Sequence, residues 1–154
     1  MGRNCPCISE IRMRKYMKNQ KPVNANAALI QQTREMIMKN HFTEYVDEHT
    51  LFMHYQDFCL QISFTDQHPL MYFQFVRDIP LDTPSALLEC VNELNLKSVL
   101  GTHSINLDKQ CYIYRTVHWL ECPISPVRYF EILQRCADEA ARGYSILNFP
   151  KSAF

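Results

Sequence analysis

Seven cysteines and six histidines in 154 residues carry the groups that thiolate or metal chemistry requires. Cys5-Pro6-Cys7 brings two thiols within reach of one soft cation. A closed tetrahedral zinc site takes four ligands, however, and no second pair stands at a matching spacing. The start Met1-Gly2-Arg3-Asn4-Cys5 approaches an acylation motif that demands Ser or Thr where Pro6 stands. A second candidate lies near residue 115: along an extended strand His118 and Cys122 share a side, and His103 falls on the preceding strand. With Cys111 these form a His/Cys cluster of the kind a cysteine- or metal-dependent enzyme uses, although nothing defines its fourth ligand or its outer shell. Cys90 and Cys136 fall inside helical patterns and Cys59 lies mid-strand, positions where a free thiol fills space. Glu89, Glu93, Asp138 and Glu139 read as solvated helix faces. Three glycines in the chain leave no phosphate-binding loop. The sequence therefore assigns no catalytic, cofactor-binding or metal-ligating residue, and the expectation is a protein that is not an enzyme and has no cofactor.

The elements that position these groups divide into a leader and one domain. Residues 1–24 lack a sustained period, and in the first 21 six cations against Glu10 leave a net charge of +5. The chain as a whole is neutral, so the remainder is mildly acidic. A nucleic-acid reader needs its basic stripe on the folded part, so nucleic acid is not an expected partner. An odd cysteine count, no apolar segment near the start and no apolar run of about 18 residues point to a reduced, cytoplasmic protein that makes no membrane contact. Residues 25–150, 47% hydrophobic over the whole chain, suffice for a single domain with its own core.

Within that domain Asn26 caps an expected helix from Ala27 to about Lys39. The period then changes. Phe58, Leu60, Ile62 and Phe64 alternate with polar residues, as do Met71, Phe73 and Phe75, with breaks at Asp47-Glu48-His49, Gln56-Asp57 and Thr65-Asp66-Gln67-His68-Pro69. These are hairpin-linked strands. Thr83-Pro84 opens a second helix whose Leu87, Leu88, Val91 and Leu94 form a core face. A second hairpin, "GTHSINL" and "CYIYRTVHWLE", turns at Asp108-Lys109-Gln110. Ser125-Pro126 then starts a last amphipathic helix with Gly143 as its expected stop. The order α-β-β-β-α-β-β-α, with three or four strands in the first run, indicates an α+β fold: an antiparallel sheet of five to six strands with helices on one face.

That order, with "LLECVNELN", the turn at Asp108, the strand "CYIYRTVHWLE" and the closing helix, resembles the YbjN-like proteins over roughly residues 40–147. These form a bacterial family described as candidate sensory-transduction regulators and related in fold to the small type III secretion chaperones. The resemblance implies helices on one face of a twisted sheet, frequent dimerisation and no established enzymatic activity. It supplies no catalytic residues to carry over. This chain departs from the family in its few glycines at hairpin turns and its cationic, cysteine-bearing leader.

A sheet with helices on one face leaves the other uncovered. In "CYIYRTVHWLE" Cys111, Ile113, Arg115, Val117 and Trp119 share one side and Tyr112, Tyr114, His118 and Leu120 the other, and neither side is plainly the wet one. Tyr112, Tyr114, His118 and Trp119 combine apolar area with polar edges, the composition of interface cores. Phe52, Tyr55 and Tyr72 are further candidates. The expectation is a protein-interaction module, regulatory or chaperone-like, that binds a client or regulatory protein and forms a homodimer through this sheet.

Overall fold

The computed structural model describes residues 23–65 and 67–149. Helix α1 (Val23–Asn40) is followed by strands β1 (Tyr45–Val46), β2 (Thr50–Tyr55), β3 (Phe58–Thr65) and β4 (Leu70–Asp78). Helix α2 (Leu87–Lys97), the hairpin β5 (Thr102–Asn106) and β6 (Cys111–Trp119), and helix α3 (Pro126–Leu147) complete the chain. The six strands form one sheet in the order β1-β2-β3-β4-β6-β5, with every neighbouring pair antiparallel. The fold class is the α+β arrangement expected, with one more short strand, β1, ahead of α2. Residues 1–22, including Cys5 and Cys7, lie outside the described residues.

Alternation decides which face is core. Leu51, Met53, Phe58, Leu60, Ile62, Phe64, Met71, Phe73, Phe75, Tyr112 and Tyr114 are all buried, while their chain neighbours, apart from Thr50 and Cys111 at strand ends, are half-buried or exposed. Against this face α3 sets Tyr129, Leu133, Cys136, Ala137, Ala140 and Leu147, and α1 sets Leu29, Ile30 and Ile37. Tyr129 meets Phe73 edge to face with ring centroids 6.1 Å apart, the offset geometry that aromatic quadrupoles favour. Arg34 of α1, itself buried, lies 5.7 Å from the Phe64 ring centroid and donates to the Asp47 carbonyl at 2.7 Å.

Local devices depart from the sequence reading at four places. Helix α1 starts at Val23, because nothing between Pro22 and Ala27 interrupts a helix and the Asn26 side chain is not needed as a cap. Thr83 is not the cap of α2: its hydroxyl bonds back to the Pro80 carbonyl at 2.6 Å, and the chain enters the helix through the i−3 bonds of Leu87, Leu88 and Glu89. Gly143 does not end α3, which runs to Leu147 and stops at Asn148 with φ 45°. Gly143 is instead a close approach, since a Cβ there would lie 2.5 Å from His103 Nδ1 and 2.9 Å from Tyr112 Oη. The expected core face of α2 is half uncovered: Val91 is buried, but Leu88 is exposed. Ser125 does cap α3, accepting from Arg128 N at 3.2 Å, with Pro126 in the first turn. The scarcity of glycine at hairpins is met by Gln56 and Gln110, which take φ of 53° and 51°.

Candidate functional site

Three alternating strands raise a surface opposite the helices. Residues Gln61 and Ser63 of β3, Tyr72, Gln74 and Val76 of β4, and Ile113, Arg115, Val117 and Trp119 of β6 face away from the helical layer. Arg115 holds Gln74 across the strands at 2.9 Å. Val117 is 51% exposed and Trp119 59% exposed, the latter resting on the His68 ring with centroids 5.7 Å apart. Beside them a hollow of about 450 Å³ is lined by His49, Phe64, Thr65, Gln67, His68, Leu70 and Tyr72. Its lining mixes Phe64, Leu70 and Tyr72 with the polar side chains of His49, Thr65, Gln67 and His68, a blend and size suited to one large side chain of another molecule.

The four expected interface residues divide between the two faces. Tyr112 and Tyr114 are fully buried beneath the helices, and His118 points to the same side, its Nε2 2.9 Å from Thr116 Oγ1 and 3.8 Å from Cys136 Sγ. These three correct the expectation, because their even positions in β6 set them toward α3. Trp119, at an odd position, belongs to the open face. Phe52 and Tyr72 join it there, whereas Tyr55 turns the other way and donates to Gln134 at 2.7 Å.

The His/Cys cluster is not assembled either. Cys111 and His118 are seven residues apart on one strand and so face opposite ways. His103 is buried against Tyr112, with Nδ1 2.6 Å from the phenol oxygen, and Cys122 lies exposed beyond the strand. Among the described residues no three His, Cys, Asp or Glu side chains are placed to share an ion. Burial pushes the Cys136 thiol up and the His118 and His103 imidazoles down, which favours the neutral form of each.

A polar latch occupies the edge of the sheet where sequence reading placed only a solvated carboxylate. Glu139 of α3 accepts from Val99 N at 2.8 Å, Leu100 N at 2.9 Å, Ser98 Oγ at 3.1 Å and the Tyr114 hydroxyl. Burial raises its carboxyl pKa, but these four donors together outweigh burial and hold it below the usual range. Asn95 completes the edge: it accepts from His103 N at 2.7 Å and donates to His103 O at 2.9 Å, standing in for a seventh strand. No signal in the sequence distinguishes these two residues from their solvated neighbours.

Helix α2 and its flanking loops carry a further uncovered apolar area. Leu96 is 87% and Val99 86% exposed, and Leu81, Leu88 and Leu100 are exposed as well. The helix meets the sheet at its β5 edge through Val91 and Asn95, with Leu94 packed against the core, while Leu88 and Leu96 face outward.

This geometry has counterparts among solved structures. YbjN from E. coli, described as "a putative transcription regulator", superposes with a TM-score of 0.56 over 77% of this chain and 88% of that one, at 8% identity. The fold is that of YbjN and the type III secretion chaperones. The YbjN-like arrangement also matches the HopA1–SchA chaperone–effector complex (TM-score 0.52, 13% identity, 76% of this chain and 90% of that one). It matches the Yersinia pestis chaperone SycH, solved with a stable fragment of YscM2 (TM-score 0.52, 12% identity, 74% and 98%). No family model matches the sequence, and no curated protein matches it. Among the described residues no helix is long and apolar enough to cross a membrane.

Proposed function

We propose that the chain is a non-enzymatic, chaperone-like adaptor of the cytoplasm that holds a segment of another protein on the open face of its sheet and works as a homodimer. Trp119 carries this reading. A tryptophan left more than half exposed on a face with Val117, Tyr72 and a side-chain-sized hollow is the type of anchor that dominates protein recognition. The structures of similar fold solved with an effector or a protein fragment support it by analogy of fold.

These two uncovered areas differ in character, and the difference favours a different occupant for each. The sheet face mixes Trp119, Tyr72, Arg115 and Gln74, the aromatic, Arg and polar blend of a surface that is free part of the time. The α2 surface gathers Leu81, Leu88, Leu96, Val99 and Leu100 beside the exposed Glu89, Asn92, Glu93 and Lys97, an aliphatic patch with a charged rim of the kind homodimer interfaces present. The copy therefore sits on α2 and the client on the sheet. This departs from the sequence expectation, which gave the sheet to the copy.

A peptide array probed with the full chain tests the client site. Segments rich in aromatic and branched residues bind the wild-type chain, and Trp119→Ala loses them while keeping its oligomeric mass. Equal binding by the two proteins would remove the sheet face from the account.

A further inference from the structure

We propose that Cys59 is a reactive thiol, served by His54 and Glu44, that exchanges with low-molecular-weight disulfides. The β2–β3 hairpin makes His54 and Cys59 direct cross-strand partners, both on the open side of the sheet. Cys59 Sγ lies 3.9 Å from His54 Nδ1, and His54 Nε2 lies 3.3 Å from Glu44 Oε1. An ionised carboxylate only accepts, so Glu44 fixes the ring hydrogen on Nε2 and leaves the Nδ1 lone pair toward the thiol. The backbone beneath the ring is tied as well, because the His54 carbonyl accepts from His41 Nε2 at 3.2 Å. Nucleophile, base and orienting carboxylate thus stand in the order that activates a thiol.

The chain supplies its own comparisons. Cys136 and His118 make a similar contact at 3.8 Å, but that thiol is buried and held in its neutral form. Cys90 and Cys122 are exposed like Cys59, without a histidine in hydrogen-bond contact. Cys59 alone among the described cysteines combines access with an imidazole.

In the exchange the thiol proton passes to His54 Nδ1 and the Cys59 sulfur attacks one sulfur of the disulfide. A new S–S bond forms and the old one breaks. The departing thiolate takes the proton from His54 and leaves as a free thiol, so one disulfide is consumed and one mixed disulfide made. The adduct stands on the open face beside Val76, the Cys59 partner on β4. The chemistry depends on the β2–β3 hairpin and on Glu44 beside it, so it stands or falls separately from the adaptor reading.

The test incubates the folded full chain with oxidised glutathione at pH 7 and follows each cysteine by peptide mass spectrometry. An ordinary thiol is only a few per cent ionised there, so complete activation has a ceiling of about 30-fold, part of which is lost to lower basicity. Cys59 is expected to be modified about tenfold faster than Cys90 and Cys122. His54→Gln should bring it to their rate, and Glu44→Gln should take it part of the way. Equal rates at Cys59, Cys90 and Cys122 in the unmutated chain would overturn the proposal without any variant. An unchanged Cys59 rate in a folded His54→Gln protein would overturn it too.

Discussion

Replacing Gly143 by Ala tests the packing of the helix layer on the sheet, because two arguments about it give opposite signs. In an open helix interior the change stabilises by about 1 kcal/mol, since glycine costs backbone entropy that alanine does not. At Gly143 the new methyl carbon would lie 2.5 Å from His103 Nδ1 and 2.9 Å from Tyr112 Oη, well inside van der Waals contact. Neither neighbour can swing away. His103 is pinned between Ser98 Oγ at 3.3 Å and Tyr112 Oη at 2.6 Å, and the Tyr112 hydroxyl donates to the Ala140 carbonyl at 3.0 Å. Overpacking a filled core costs about 1–3 kcal/mol, and parting the His103–Tyr112 hydrogen bond costs about 1 kcal/mol more. After the gain in helix propensity, a net loss of about 1–3 kcal/mol is expected. Urea titration followed by circular dichroism reads this as a lower midpoint at unchanged slope. In a His103→Ala background the same substitution should cost far less, because the ring that blocks the methyl group is gone. A Gly143→Ala protein as stable as its parent, or more so, would refute the close approach of α3 to β5 and β6.

Three further perturbations address the latch, the buried imidazoles and a turn. Glu139→Gln replaces one of the two accepting oxygens with a donor that faces backbone N–H groups; a loss of about 2–3 kcal/mol and faster hydrogen exchange at Val99 and Leu100 are expected. For pH, burial lowers the pKa of His41, His103 and His118 from the ordinary 6.5, so below 6.5 the unfolded chain binds more protons than the folded one. Stability is thus full above pH 6.5 and falls as pH drops through that value, which thermal melts between pH 8 and about pH 5 detect. Gln56→Gly relieves a positive φ at the β2–β3 turn and should stabilise by up to about 1 kcal/mol in denaturant titration, whereas Gln56→Val should destabilise.

The sequence made the layers legible through period alone. Phe58 to Phe64 and Met71 to Phe75 alternate strictly, and the odd and even positions they occupy are the ones the structure divides between core and open face. Ser125-Pro126 was legible for the same local reason, since a cap needs only its own hydroxyl and the N–H three residues on. The strand Cys111–Trp119 was not, because both of its faces carry aromatic residues and composition cannot say which one the helices cover. Tyr112 and Tyr114 read as interface residues for that reason, although their hydroxyls are satisfied inside by Ala140 and Glu139. The polar edge was hidden for a different one. Asn95 and Glu139 act on backbone groups 8 and up to 40 residues away, and nothing in their own neighbourhood marks them. Gly143 shows the same limit: near the end of a helical pattern it looks like a stop, and only the tertiary approach of His103 reveals why a side chain is excluded.

The most direct measurement of the adaptor account is the solution mass of the full chain by light scattering across a dilution series, together with Leu96→Glu and Trp119→Ala. The account predicts twice the 18.2 kDa chain mass for the unmutated protein and for Trp119→Ala, and the single-chain mass for Leu96→Glu. It also predicts that the emission of Trp119, the one tryptophan in the chain, does not change on dilution, because its face is reserved for a client. A monomer at every concentration would contradict the homodimer, and a dimer that survives Leu96→Glu but dissociates with Trp119→Ala would return the sheet face to the copy.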